Sequence, residues 1–235
     1  GGWLYRSVER AQSYEGLMAL GTSEAPLAER RAQVEALVRR MPEESAFHSL
    51  RAQLCLESAR RGDSPEVYRR EAVLSARQMW DSAVRARGLA SAPIEEQCAN
   101  PELFALRITY ADTLAGAGDM DESLSVYATL LRIDPPGIPG AARALLFNNA
   151  AYSMLTGPQA ARDAHKALSL AQDCVRLTPE ASRTASYLDT LAVAYLMTGN
   201  REQALAVSRR ALAMADTAEL PDLLANFDRI RNARP

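Results

Sequence analysis

The chain has 235 residues, 48% of them hydrophobic, which is enough to bury a sizeable core and argues against an intrinsically disordered protein. Aromatic residues make up only 6%, and glycine and proline number 12 each, a composition that favours helix over strand. The formal net charge is −2 and the arginines are scattered among glutamates, so the sequence has no basic footprint for nucleic acid and we expect no nucleic-acid partner.

Helical periodicity and helix stop signals predict eleven helices. In chain order they cover about residues 3–20, 25–41, 45–61, 65–87, 101–117, 121–133, 140–156, 160–177, 183–198, 201–215 and 220–232. No window alternates polar and apolar residues as a half-buried strand does. Because connections such as GTSE, MPEE and RGDSP are short, neighbouring helices should lie antiparallel, giving about five hairpins and a C-terminal capping helix.

Two of the predicted turns use the same pair of residue types. Gly118 and Gly199 can adopt the left-handed conformation that ends a helix. Asp119 and Asn200, which follow them directly, can accept hydrogen bonds from the first free amides of the next helix. The sequence therefore predicts two helix hairpins that turn by the same mechanism.

Few residues are suited to catalysis or metal binding. The cysteines Cys55, Cys98 and Cys174 are odd in number and share no short spacing, so we expect free thiols in place of a disulfide or zinc site. His48 and His165 are the only histidines and are far apart in the chain. We predict no enzyme, no cofactor and no metal. No run of about 18 apolar residues is present, so no segment is expected to insert into a membrane.

Residues 101–216 contain three copies of one apolar spacing. The first copy is Tyr110, Leu114, Gly118, Ser123, Tyr127 and Leu130. The third copy has identical spacing, with Leu191, Tyr195, Gly199, Ala204, Ser208 and Ala211. The middle copy is Ala150, Met154, Ala167, Ala171 and Cys174, and its turn is four residues longer. Successive copies begin 40 and 41 residues apart, which indicates an internal repeat.

This repeat resembles the tetratricopeptide repeat (TPR), a helix-turn-helix unit of about 34 residues with a turn glycine and a terminal proline. The extra residues fall in the turns, where they leave the packing register intact. The pattern departs from the family at the first large position, where Arg107 or Leu188 stands in place of tryptophan, and at Ser208 in place of an aromatic residue. The resemblance implies an all-α fold, a right-handed α-solenoid of antiparallel helix hairpins.

The resemblance also implies a domain organisation. We expect degenerate TPR-like hairpins over 1–88, a connecting loop over 89–100, three TPR-like repeats over 101–216 and a capping helix over 217–235. End units of such stacks are usually atypical, which fits the weaker pattern before residue 89.

A narrower resemblance concerns FNNAAYSMLTG and LDTLAVAYLMTGNREQALAVSRRALAMA. These segments look like the C-terminal repeat block of large bacterial multidomain proteins, which often follows a membrane-embedded glycosyltransferase or a kinase domain. We therefore expect a piece of a longer bacterial protein, the alternative being that Gly1 and Gly2 are an artificial addition to the chain. The sequence leaves open whether the compartment is the cytoplasm or the periplasm and whether the segment is attached to a membrane protein upstream of Gly1.

In TPR proteins the first helix of each hairpin lines a concave groove, and by resemblance this places one stripe of residues toward a ligand. The groove candidates are Ile108, Asp112, Asn148, Asn149, Tyr152, Asp189, Thr190 and Val193. An alternative is that Asn148 and Asp189 only cap or cross-link adjacent helices. The variant that clamps acidic C-terminal peptides of chaperones is excluded, because only Asn149 falls on one of its ligand positions.

These observations predict a noncatalytic scaffold that binds a protein or peptide in its groove. The alternative, from a different class, is a structural or self-association appendage of a larger bacterial membrane glycosyltransferase or kinase. The partner would then be a second copy of the chain, which forms a homo-oligomer.

Overall fold

A computed structural model describes residues 13–20, 23–133, 135–157, 160–179 and 184–233, and over these residues the fold is all-α. Helix α1 covers residues 13–20. The helices that follow are α2 Leu27–Arg40, α3 Ser45–Arg60, α4 Pro65–Ala86, α5 Ile94–Cys98, α6 Pro101–Ala117, α7 Met120–Ile133, α8 Gly140–Thr156, α9 Ala160–Leu177, α10 Ala185–Met197, α11 Arg201–Met214 and α12 Leu220–Asn232. No strand occurs in the described part of the chain.

Each of the eleven predicted helices has a counterpart in the structure, although residues 3–12 of the first lie outside the described residues. Helix α5 was not predicted and lies inside the expected connecting loop, 89–100. Five residues are too few to show a helical period. The amide of Gln97 ties this segment together by donating to the carbonyl oxygens of Leu89 at 3.1 Å and Ala92 at 2.8 Å.

The chain divides into two compact units, Gly1–Asp119 and Met120–Pro235. The segment expected to connect two domains lies within the first unit. The two halves of the first repeat copy, α6 and α7, belong to different units.

In the first unit α3 packs on α2, α4 and α6, and α4 packs on α6. The largest fully buried side chains of this core include Phe47, Phe104 and Met79. The guanidinium group of Arg107 lies 4.6 Å from the ring of Trp80 and 4.6 Å from the ring of Tyr110. Arg107 stands where a TPR usually has tryptophan, so its flat cation stacks between rings where the family places an aromatic side chain.

In the second unit each helix packs on the next, as α8 with α9, α9 with α10, α10 with α11 and α11 with α12. Alternate helices also touch, α8 with α10 and α10 with α12. This is the contact pattern of stacked hairpins, in which each unit meets its sequence neighbours. The predicted fold class of antiparallel TPR-like hairpins is confirmed.

The repeated positions form the interior. Apart from the exposed turn glycines Gly118 and Gly199, the repeated positions of the three copies are less than a tenth exposed, with Tyr195 alone half-buried. The hydroxyl of Tyr195 accepts a hydrogen bond from the Gln172 amide at 3.1 Å. Alanines at the repeated positions of α8, α9 and α11 leave little side-chain bulk between neighbouring helices, which lets the backbones approach.

Two turns have the predicted left-handed glycine, and one of them has the predicted cap, while the capping role of Asp119 stays a prediction. Gly118 and Gly199 have φ of 91° and 84°, the left-handed region in which a Cβ would be strained. The side chain of Asn200 then accepts a hydrogen bond from the backbone N–H of Gln203 at 3.2 Å, which caps α11.

The last helix, α12, is fixed to the second unit at both of its ends. Leu223 near its start and Ile230 near its end are buried. The guanidinium group of Arg201 donates to the carbonyl oxygens of Ile230, at 3.2 Å from Nε, and of Arg231. These carbonyls lie in the last turn of α12, where the intrahelical ladder of backbone hydrogen bonds ends, so Arg201 caps the helix from outside. The Ile230 carbonyl also accepts from the backbone N–H of Ala233 at 3.4 Å. Helix α12 thus occupies the predicted capping position.

Candidate functional site

The eight predicted groove residues lie on the first helices of their hairpins, α6, α8 and α10, and four of them are buried. Ile108 is fully buried in the first unit. Val193 is 7% exposed and belongs to the core of the second unit. A ligand cannot reach either side chain in the folded protein, so Ile108 and Val193 are removed from the candidate ligand-binding residues.

The other two buried candidates are polar and satisfy their hydrogen bonds locally, at least in part. The hydroxyl of Thr190 donates to the carbonyl oxygen of Ser186 one turn earlier, at 3.1 Å. The amide nitrogen of Asn148 donates to the side-chain oxygen of Asn149 at 3.1 Å. Asn148 therefore holds its neighbour in a fixed orientation, which is a positioning role.

Asp189 connects two helices. Its Oδ2 atom accepts a hydrogen bond of 2.7 Å from the amide of Asn226 on α12, while its Oδ1 atom is buried with no partner among the described residues. Burial raises the pKa of this carboxyl from 3.8 to about 6, against the opposing effects of Asn226 and the charge of Arg229. This hydrogen bond cross-links α10 to α12, as the alternative interpretation of Asp189 expects, and a ligand-binding role for Asp189 stays a prediction.

Tyr152 is the most exposed of the candidates, at 53%. Leu145 precedes it by seven residues on α8 and is 38% exposed, and half-buried Asn149 lies between them. Residues spaced by four and three lie on one face of a helix, so Leu145, Asn149 and Tyr152 form a continuous surface that we call the α8 stripe. Leu145 was not among the predicted groove residues, although its spacing from Tyr152 was visible in the sequence.

Asp112, the remaining candidate, is half-buried on α6 in the first unit. The α8 stripe belongs to the second unit. The role of Asp112 as a ligand-binding residue stays a prediction.

The three cysteines and one of the two histidines are buried. Burial raises the pKa of the Cys55 thiol to about 12, and of the Cys98 and Cys174 thiols to about 11, so these thiols are protonated and poor nucleophiles at neutral pH. Buried His48 has its Nε2 atom 2.7 Å from the carbonyl oxygen of Pro42. His165 is exposed on α9.

In the described parts of the chain, no group of three or more histidine, cysteine, aspartate or glutamate side chains could hold a metal ion. None of the described helices combines the length and the apolar character needed to cross a bilayer.

A solved structure, that of yeast Tom70, has a similar fold, with a TM-score of 0.51 and 14% sequence identity. The alignment covers 92% of this chain and 45% of the Tom70 chain, so this chain spans less than half the length of Tom70. Tom70 is a TPR protein. The fold of this chain is therefore a TPR-like helical repeat. The sequence matches no protein-family model and no curated protein.

Proposed function

We propose that the chain is a noncatalytic interaction module that binds a segment of a partner protein on the α8 stripe. The observation that carries this proposal is the exposure of Tyr152 and Leu145 on one face of a first helix, beside the Asn149 amide. TPR-like folds commonly mediate protein–protein interaction, and the first helix of a hairpin is where the family binds its ligands.

The α8 stripe has the chemistry of a small recognition surface. Tyr152 offers an aromatic face and a hydroxyl, Leu145 offers an aliphatic contact, and Asn149 places a polar side chain between them. Tyrosine is enriched at positions that dominate binding energy, because it buries a large area at a low cost in side-chain entropy. We expect a peptide with at least one large apolar side chain flanked by polar residues.

The Asn148–Asn149 hydrogen bond supports the proposal because it orders a residue of the stripe. An amide held in place loses less conformational entropy when a peptide backbone binds to it. A binding role is also consistent with the three protonated, buried thiols, which offer no nucleophile to a substrate.

A peptide-display selection tests the proposal. A library of random peptides is selected on the protein, and one enriched peptide is synthesised and its affinity measured by titration calorimetry. Tyr152→Ala should weaken binding by about tenfold or more, as expected for loss of an aromatic anchor worth about 1.4 kcal/mol or more. Asn148→Ala should weaken binding less, because it acts only through Asn149.

The matched control is Leu177→Ala, since Leu177 is as exposed as Leu145, at 38%, but lies at the end of α9. Its affinity should equal that of the unchanged protein. Equal weakening by Leu177→Ala and Tyr152→Ala, or no effect of Tyr152→Ala, would refute the assignment of the stripe.

A second candidate is self-association, the role expected of a structural appendage. The observation that favours it is a pair of exposed leucines one turn apart on α12, Leu220 at 38% and Leu224 at 46%. Sedimentation velocity measures it directly. If α12 mediates a dimer, Leu224→Glu should give a monomer at concentrations where the unchanged protein is dimeric, and a monomer in both cases would eliminate this candidate.

A further inference from the structure

The first unit contains a polar cleft that the peptide-binding proposal does not use. It lies between α2, α3 and α4 and has a volume of about 430 Å³, within the range of small-ligand sites. Charged and aromatic side chains from all three helices line it. They are Arg31, Glu35 and Arg39 from α2, Arg51 from α3, and Tyr68 and Glu71 from α4.

The charges of the lining do not balance. It holds three guanidinium groups and two carboxylates, a formal charge of +1. Glu35 is already committed to Arg51, whose Nε atom lies 2.5 Å from its carboxylate. The charges that remain are the positive charges of Arg31 and Arg39 and the negative charge of Glu71. A ligand carrying a single negative charge would neutralise the cleft, whereas a dianion would bring excess negative charge beside two glutamates.

Arg31 is held in place but incompletely paired. Its guanidinium group lies 4.1 Å from the centre of the Tyr68 ring, a stacking contact that fixes its plane. Its Nε and Nη1 atoms are buried and have no hydrogen-bond partner among the described residues. Buried donors on a charged group are costly when they are left unsatisfied. A preoriented guanidinium without its acceptors is a receptor for a planar anion.

We propose that this cleft binds a carboxylate, with Arg31 as the group that recognises it. The neighbouring glutamates disfavour the dianionic phosphate that the same guanidinium could otherwise bind. The site lies in the first unit on α2, α3 and α4, so it is separate from the α8 stripe and does not depend on the proposed function. The carboxylate belongs either to the C-terminus of a peptide or to a small free acid.

Titration followed by NMR of the arginine side-chain N–H signals tests the proposal on the whole chain. Three probes are used, namely an acetylated Ala-Ala-Leu tripeptide with a free C-terminus, the same peptide amidated, and acetate. The free-acid peptide should shift the Arg31 Nε–H signal to saturation, and the amidated peptide should not. Acetate binding about tenfold or more weaker than the free-acid peptide identifies a chain terminus as the source. Similar affinities of the two acids identify a small acid.

Arg31→Met keeps a long side chain over Tyr68 but removes the charge, and it should weaken binding of the free-acid peptide by about tenfold or more. Because the residue it replaces has buried donors without partners, the variant should melt no earlier than the unchanged protein. The matched control is Arg69→Met, which removes the same charge from an exposed residue of α4 paired with Glu66 outside the cleft. It should leave the affinity unchanged.

A variant with the opposite expected effect guards against misfolding as an explanation. Glu35→Gln removes a negative charge from the lining and releases Arg51, so the free-acid peptide should bind several-fold more tightly. The proposal is overturned if neither acid shifts the Arg31 signal, if the amidated peptide binds as well as the acid, or if Arg31→Met and Arg69→Met have the same affinity. Tighter binding of inorganic phosphate than of either carboxylate would overturn the ligand class.

Discussion

Replacing Asp189 by asparagine tests whether the buried charge of this residue, which is hydrogen-bonded to α12, lowers the stability of the folded protein. In the folded protein its carboxyl is half-buried, has one oxygen without a partner and has a pKa of about 6 in place of 3.8. A shift of roughly two pKa units corresponds to about 3 kcal/mol between the charged and neutral forms. Because the side chain keeps some contact with water, we reduce this to about 1–2 kcal/mol.

The sign of the pH dependence follows from the direction of the shift. A folded-state pKa above the unfolded value means that the folded protein binds the proton more tightly. The stability contributed by the protonated carboxyl is therefore fully present below about pH 3.8 and is lost as the pH rises through about 6. Asparagine keeps an oxygen that accepts from Asn226 and does not titrate, so it should escape this loss.

Urea unfolding followed by circular dichroism, from about pH 4 to pH 8, measures the effect. Asp189→Asn should be about 1–2 kcal/mol more stable than the unchanged protein near pH 7.5, and the difference should shrink toward zero near pH 4. Charges elsewhere titrate equally in both proteins and cancel in the difference. A difference that is constant over this range, or that favours aspartate at pH 7.5, would refute the reasoning.

Three further predictions concern packing and burial. Gly157→Ala should destabilise the folded protein by about 1–3 kcal/mol, because the new Cβ would lie 2.8 Å from the carbonyl oxygen of Ser153. Gly140→Ala should stabilise it slightly, because a Cβ at that position has no atom within 4 Å. Thermal melts of the two variants measure the difference. Ser208→Ala should raise the free energy of unfolding by about 1 kcal/mol in urea titrations, because the hydroxyl is buried with no partner among the described residues. The three cysteines should resist alkylation by iodoacetamide at pH 8 in the native protein and should react in urea, because burial shields them and raises the pKa of each thiol to about 11 or 12. Mass spectrometry detects the alkylation, and rapid reaction of the native protein would contradict the burial of the thiols.

The buried residues of the repeats could be predicted from the sequence because helical spacing indicates directly which residues face a neighbouring helix. Tyr110, Ala150 and Leu191 recur 40 and 41 residues apart, and all three are buried. The stop glycines and the cap at Asn200 are local features, so they too were visible. Helix α5 was missed because a five-residue helix held by a side-chain amide has no period to detect.

The groove assignment could not be made from spacing alone. Counting along one stripe from the core assumes that a helix buries a single face. Helix α10 packs on α8, α9, α11 and α12, so residues such as Thr190 and Val193 are buried beyond that face. The same reason places Ile108 inside the first unit, where α6 meets α3, α4 and α5.

The cleft of the first unit also required three-dimensional information. Arg31, Glu35 and Arg39 are spaced by four on α2, so their shared face was visible in the sequence. Tyr68 belongs to another helix, more than thirty residues away, and only the packing of that helix brings its ring over the guanidinium group. The missing acceptors for Arg31 are likewise a property of the packed state.

The central claim is that α8 presents a binding surface for a partner segment. Hydrogen exchange measured by mass spectrometry, with and without a display-selected peptide, tests it most directly on the unchanged chain. We predict slower exchange in peptic fragments from α8, and unchanged exchange in α9 and α11, with the protection lost in Tyr152→Ala. Protection confined to α9 and α11, or protection of α8 that persists in Tyr152→Ala, would contradict the claim.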